Sequence, residues 1–231
     1  MPKHIMKQYD ETHQVMTTKM GDEFGSLFYH LYNETVWLTI KWLEYNELYG
    51  TKPSRIDLMN QAAPQIFFII EKTLWNDILL GISRITDPPE TYKKRNITFQ
   101  AITKHIEDAE LKNSIEIDIK GIIEKTQFCR DWRNRSIAHF DYDLNINEQK
   151  AEPLAPANRN LISEVVKMLQ DVINRLNFHY LRKTVVFDHI SGYKGAVSLL
   201  VNVEKGLRFK QLMFDKKHKG EWKPDGFESL V

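Results

Sequence analysis

The sequence predicts an all-α protein, an antiparallel bundle of long helices with extra helices at its N- and C-terminal ends. Three observations carry that expectation. Apolar residues recur at three- and four-residue spacing through several long segments. Those segments are separated by short polar stretches marked by Gly or Pro. Of the 231 residues, 42% are apolar and 27% charged, a balance that buries a sizeable core in one large domain or in one domain with an appendage.

The elements follow in order. Lys3 to Met20 reads as a polar helix, broken at Gly21-Asp22. Phe24, Leu27, Phe28, Leu31, Leu38, Trp42, Tyr45 and Leu48 define a second helix, which Gly50 ends. Pro53-Ser54 opens the next, and Arg55 to Ile85 is the most apolar stretch in the chain. Ile66, Phe67, Ile70, Leu74, Ile78 and Ile82 form one stripe; Phe68, Trp75 and Leu79 form a second. A helix apolar on nearly all sides is buried on nearly all sides, as the centre of a bundle or against a partner chain. Pro88 disfavours helical geometry at Asp87 and closes this run. Glu90 to Asn96 reads as a polar basic loop, Thr98 to Leu111 as a short helix, and Ser114 to Phe140 as a long one. Asn145 to Ala157 reads as a loop, and Leu161 to about Val186 as a helix. Ala196 to Val203 fits a helix, and also a strand paired with Leu207 to Phe214; the helix is favoured. The tail from Asp215 is expected to fray. The expected division is an N-terminal helix over 1–20, a helical bundle over 21–187 and an appendage over 188–231.

Charge and composition exclude several classes. The net charge is +1, so a nucleic-acid contact must come from a local cluster. The single cysteine, Cys129, rules out an internal disulfide and reads as a small buried hydrophobe. The N-terminal Met1-Pro2-Lys3-His4-Ile5 lacks the apolar run of a signal peptide, and the longest apolar run, Ile66 to Ile70, is too short to span a bilayer. A cytoplasmic protein without a membrane partner is expected. There is no Gly-rich phosphate loop, no His-Glu-x-x-His and no Cys-x-x-Cys. The eight histidines show no metal-ligand spacing, and neither metal nor cofactor is expected.

One stretch stands out: Cys129-Arg130-Asp131-Trp132-Arg133-Asn134-Arg135-Ser136-Ile137-Ala138-His139-Phe140-Asp141-Tyr142-Asp143. At about 100° per residue, Ile119, Ile122, Thr126, Cys129, Ile137 and Phe140 fall within roughly 40° of Arg133. Arg133 thus stands at the centre of an apolar face, where a guanidinium must be paired. Asp77, inside the apolar run Leu74 to Leu79, is the natural partner.

Arg133, the polar Asn134 and His139, with five residues between the Arg and the His, resemble the signature of the HEPN superfamily (higher eukaryotes and prokaryotes nucleotide-binding). The helix ending Gly81-Ile82-Ser83-Arg84-Ile85-Thr86-Asp87-Pro88 resembles the branch found among abortive-infection proteins of the Abi-U type. The likeness covers roughly Gly21 to Tyr180. It implies a HEPN-like bundle that dimerises, places two motifs across a shared cleft and, in active members, cleaves RNA without metal in phage defence or a toxin-like role. The residue types suit that chemistry. RNA supplies the 2′-hydroxyl nucleophile, and His139 is the side chain to take its proton. Arg133 would stabilise charge on the phosphoryl oxygens, and Asn134 would orient His139 or bond a phosphate oxygen. Arg130 and Arg135 are candidate substrate-binding residues, Asp77 and Asp141 structural ones, and Lys93-Lys94-Arg95 is a loop charge run. A toxin branch carries a Tyr two residues after the motif His; Asp141 stands there in this chain, with Tyr142 one later. RNA, a second copy of the chain and an antitoxin or defence protein are the expected partners. The alternative is a non-catalytic module that binds RNA, nucleotide or protein.

Arg133 and His139 lie about 120° apart on an ideal helix, whereas Arg135 is the same-face neighbour of His139. Either the helix ends before His139, or a partner chain completes the site.

Overall fold

A computed structural model describes residues 3–147, 151–190 and 195–219, with side chains from residue 11 onward except at 189. The protein is all-α. Its helices are α1 (Lys3–Met20), α2 (Asp22–Tyr49), α3 (Pro53–Ala62), α4 (Pro64–Thr86), α5 (Ala109–Lys125), α6 (Gln127–Trp132), α7 (Tyr142–Ile146), α8 (Arg159–Leu181) and α9 (Gly195–His218). One small antiparallel hairpin, β1 (Glu90–Thr91) and β2 (Lys94–Arg95), follows α4. The chain forms two compact units: Met1–Leu43 with Thr73–Gly192, and Glu44–Lys72 with Tyr193–Val231.

The larger unit is built on helical spacing. Phe24, Phe28, Leu31 and Leu38 of α2, Ile78, Ile82 and Ile85 of α4, and Ile115, Ile119 and Ile122 of α5 are all buried. α8 contributes Ile162, Val165, Leu169, Val172, Ile173 and Leu176, an unbroken apolar face that packs on α5. Several of the polar groups inside bond to one another in series. The Gln170 amide donates to Thr39 Oγ1 at 3.0 Å, Thr39 donates to the Thr35 carbonyl at 2.8 Å, and Thr35 to the Leu31 carbonyl at 2.8 Å. Cys129 is fully buried, and burial pushes its thiol up to about 12, so it behaves as a small hydrophobe.

In the smaller unit, Tyr45, Leu48, Met59 and Phe67 are buried with Ala196 and Leu200 of α9. The Glu44 carboxylate accepts the Ala196 amide at 2.5 Å, at the start of α9. The helical reading of this segment holds and extends: α9 runs on through Gly206 to His218, and the strand alternative is not what forms. The last part of the expected frayed tail, from 220 onward, lies outside the described residues.

Several expectations change. The apolar run from Arg55 is two helices, because Pro64 opens α4 and Ala63 before it is extended at φ −161°. The first half of α4 is only partly covered by the described residues: Phe67 is buried but Ile66, Phe68 and Ile69 are 49–57% exposed, while Ile78, Leu79 and Ile82 are fully buried. Thr98 to Leu111 is two 3₁₀ turns, Phe99–Ala101 and Thr103–His105, followed by extended Ile106 and by Asp108, which caps α5 through the Leu111 amide. The basic loop after Asp87 is the β1–β2 hairpin, and α7 occupies the start of the expected 145–157 loop. Finally, α8 stops at Leu181, where Arg182 turns left-handed at φ 54° and Asn174 pairs with both backbone groups of Val185. Among the described residues no helix is long and apolar enough to cross a membrane.

The α1–α2 junction depends on two glycines. Gly21 sits at φ +81°, and a Cβ on Gly25 would lie 2.5 Å from the Thr17 Cα of α1. Gly21→Ala should cost about 1–2 kcal/mol through backbone strain alone. Gly25→Ala should cost about 1–3 kcal/mol by forcing the helices apart. Urea unfolding midpoints measure both, and an unchanged midpoint for Gly25→Ala would contradict this packing.

Candidate functional site

The site forms where the end of α4 meets α6. Thr126 interrupts the long predicted helix between α5 and α6, with its own φ and ψ at −98° and 6°. Past Trp132 the backbone widens into a π-turn over Arg133–Ile137, closed by the Ala138 amide on the Arg133 carbonyl at 2.8 Å. The helix then ends. Ala138 and His139 lie in a bend, and Asp141 starts α7 by accepting the Leu144 amide at 3.0 Å. The helix thus ends before His139, as the first of the two sequence alternatives requires. The apolar face around Arg133 also stops short: Ile119, Ile122, Thr126 and Cys129 are buried, but Phe140 is 87% exposed.

Arg133 does not pair with Asp77. Its Nη1 donates to Asp87 Oδ2 at 2.5 Å, and its Nε donates to Asn134 Oδ1 at 3.0 Å. Asp77 instead takes Lys41 at 2.5 Å, and half of its side chain is exposed. Asp87 faces a second guanidinium, with Arg130 Nε 3.4 Å from its other carboxylate oxygen. Arg130 also donates to the Thr86 carbonyl at 2.5 Å and Thr86 Oγ1 at 3.1 Å, so it caps α4. Gln100 completes that cap, donating to the carbonyls of Thr86 and Asp87 at 2.9 and 3.1 Å. Two guanidiniums thus share one carboxylate, and the cluster keeps a surplus positive charge.

Arg135 works elsewhere. It donates to the Glu152 carbonyl at 2.5 Å and stands 3.4 Å from both Asp131 and Asp141. Asp131 accepts the Ala155 amide at 2.7 Å, and the Trp132 indole donates to the Ala155 carbonyl at 2.8 Å. Together these bonds strap residues 152–155 to the motif helix, and this strap occupies Trp132. The Asp141 carboxyl is held below its ordinary value, first by the Leu144 amide and then by Arg135. Its stabilising contribution is present above the unfolded carboxyl value and is lost as pH falls through the lowered folded one.

Asn134 and His139 are exposed. Among the described residues His139 makes no hydrogen bond or ion pair. Exposed Phe140 and Tyr142 flank it, the latter at 70%. Asp87 was the partner that sequence reasoning missed; its one signal was a carboxylate directly before Pro88 at a helix end. Among the described residues no three His, Cys, Asp or Glu side chains are grouped to hold a metal ion.

A sequence model of the HEPN group described as AbiU2 matches residues 21–197. No curated protein and no solved structure matches the chain.

The pairing makes a sharp expectation. The Asp87 and Arg133 side chains are 22% and 29% exposed, and breaking the pair strands the Asp87 carboxylate beside Arg130 alone. A double-mutant cycle of Arg133→Ala with Asp87→Ala should show a coupling of about 1–3 kcal/mol in thermal or urea unfolding. Arg133→Ala with Asp77→Ala should be additive. Coupling to Asp77 and not to Asp87 would overturn the assignment.

Proposed function

The chain belongs to the AbiU2 family of HEPN proteins, and on that footing we propose that it is a metal-independent endoribonuclease of phage defence or of a toxin-like system. The observation that carries this reading is His139. It lies just past the end of the motif helix, exposed and without a bonding partner among the described residues, while Arg133, six residues earlier, is held by Asp87. An imidazole with no internal role is available to a substrate proton.

The chemistry assigns each residue one task. His139 takes the proton of the 2′-hydroxyl as that oxygen attacks the adjacent phosphorus. Negative charge gathers on the phosphoryl oxygens and is met by Arg133. Asn134 Oδ1 rests against Arg133 Nε, where a phosphate oxygen would bind, and among the described residues no bond engages Nη2. When Asn134 swings away, the Nε–Nη2 edge accepts phosphate in two-point fashion. The surplus charge of Arg130 and Arg133 over Asp87 supports the anion, while Arg130 and Arg135 act from their structural bonds. Phe140 and Tyr142 offer aromatic faces for unstacked bases. The P–O5′ bond breaks, the departing 5′ oxygen takes a proton from water, and a 2′,3′-cyclic phosphate and a 5′-hydroxyl are the products. A second copy of the chain would bring a second Arg–His pair to the cleft, and the uncovered Ile66, Phe68 and Ile69 of α4 are apolar surface for a partner copy or for an antitoxin or defence protein.

One observation favours the non-catalytic reading, a module that binds RNA, nucleotide or protein. Asp87 already neutralises part of the Arg133 charge. Cleavage decides between the two. Activity should persist in excess EDTA, leave a cyclic phosphate and vanish on substrates with deoxyribose 5′ to the cut. His139→Ala should lower the rate roughly 10²- to 10⁴-fold without moving the melting temperature, since the side chain is exposed and unbonded. RNA that is bound and left intact by both forms would select the binding module.

A further inference from the structure

The β1–β2 hairpin is tied directly to the Arg133 cluster. Asp87 is followed by Pro88, Pro89 and Glu90, so Tyr92 at the hairpin tip is five residues from the carboxylate that holds Arg133. Even fully extended, that span is about 18 Å, a distance covered by a few nucleotides of single strand. The hairpin is also braced. Glu90 pairs with Arg95 and Thr91 with Lys94 in the strand register. The Asn96 side chain donates to the Pro88 carbonyl at 2.9 Å and to Thr91 Oγ1 at 2.8 Å, and its amide donates to the Pro89 carbonyl at 2.8 Å. Arg95 pairs with Glu23 of α2, which anchors β2 to the larger unit.

The residues at the tip are wrong for the turn they make. Tyr92 and Lys93 both sit at positive φ, 50° and 62°, as the central pair of a two-residue hairpin turn of type I′. Asn-Gly or Asp-Gly takes that shape freely; a bulky aromatic and a lysine take it at a cost. Nothing inside the protein repays the strain. Tyr92 is 95% exposed, and among the described residues Tyr92, Lys93 and Lys94 make no side-chain bond. A braced, strained tip carrying one fully exposed aromatic ring and two unpaired ammonium groups fits single-stranded nucleic acid. The ring stacks a base, and the lysines meet the flanking phosphates.

We propose that Tyr92, Lys93 and Lys94 form a substrate-binding tip that grips single-stranded RNA a few nucleotides from the phosphate at Arg133. This inference rests on the ribonuclease reading and adds to it the site that positions the strand.

The test uses full-length protein and a labelled, uniformly 2′-O-methylated single-stranded RNA, which has no nucleophile and reports binding alone. Tyr92→Ala should weaken binding roughly 5- to 150-fold, the range for loss of one stacked base, with the salt dependence unchanged. Tyr92→Phe should bind like wild type. Lys94→Ala should lower the slope of log K against log salt by about 0.7, the value for one single-strand phosphate. The decisive variant is Tyr92→Asn with Lys93→Gly, which gives the turn its preferred residues. It should melt higher than wild type and bind RNA worse. If it melts higher and binds as wild type does, the tip has no binding role and the inference falls alone. If the wild type neither binds the methylated strand nor cuts RNA, the ribonuclease reading falls as well. His139→Ala should bind the strand normally, which separates the two sites.

Discussion

The Asp87 carboxylate holds the site together. It sits at the end of α4, where the helix carbonyls need donors, and draws two guanidiniums of the motif helix onto that end. Arg130 closes the carbonyl of Thr86 and Arg133 closes the carboxylate. One cluster therefore caps one helix, fixes the register of a second against it and orients the motif arginine. Remove the carboxylate and two arginines lose their common anchor beside a buried core.

Much of the helical pattern was legible because local signals and burial agree. Gly21, Pro53 and Pro88 mark helix ends by removing or restricting backbone conformations, and α8 repeats its apolar spacing without a break. The need for a partner at Arg133 was also legible. Its identity was not. Asp77 lies in α4 and Asp87 directly follows its last residue, ten residues and about 15 Å further along the axis. Periodicity gives the face of a residue and says nothing of how far one helix slides along another. Thr98 to Leu111 departs from the expected helix for a related reason: 3₁₀ turns bury residues three apart, such as Phe99 and Ile102, as readily as an α-helix does.

The π-turn is the local event that sequence could not announce, since Arg133 to Ile137 carries no residue that forbids an ordinary helix. Its consequence is large. A widened turn shifts the phase of everything after it, so Phe140 leaves the apolar face and His139 leaves the helix. The strap of residues 152–155 fixes the other side of the segment through Asp131, Trp132 and Arg135. Between the strap and the Asp87 cluster the motif helix is gripped from both sides up to its last turn, while His139 stays outside both grips.

A carboxylate beside the arginine proposed to stabilise charge looks self-defeating, and the second arginine resolves this. A lone Arg133–Asp87 pair would be close to neutral and would attract a phosphate only at contact. With Arg130 on the other oxygen the cluster carries two positive charges and one negative, so an approaching anion still meets net positive charge. At a few ångströms that attraction is well inside the screening length of about 8 Å at physiological salt. Arg130 is 16% exposed and tied to the helix end, so it contributes field rather than contact. In the proposed reading Arg133, with Asp87 on Nη1 and the exposed Asn134 on Nε, keeps an edge for a phosphate. The carboxylate thus sets where the guanidinium points, and the neighbouring arginine keeps that orientation from quenching the charge.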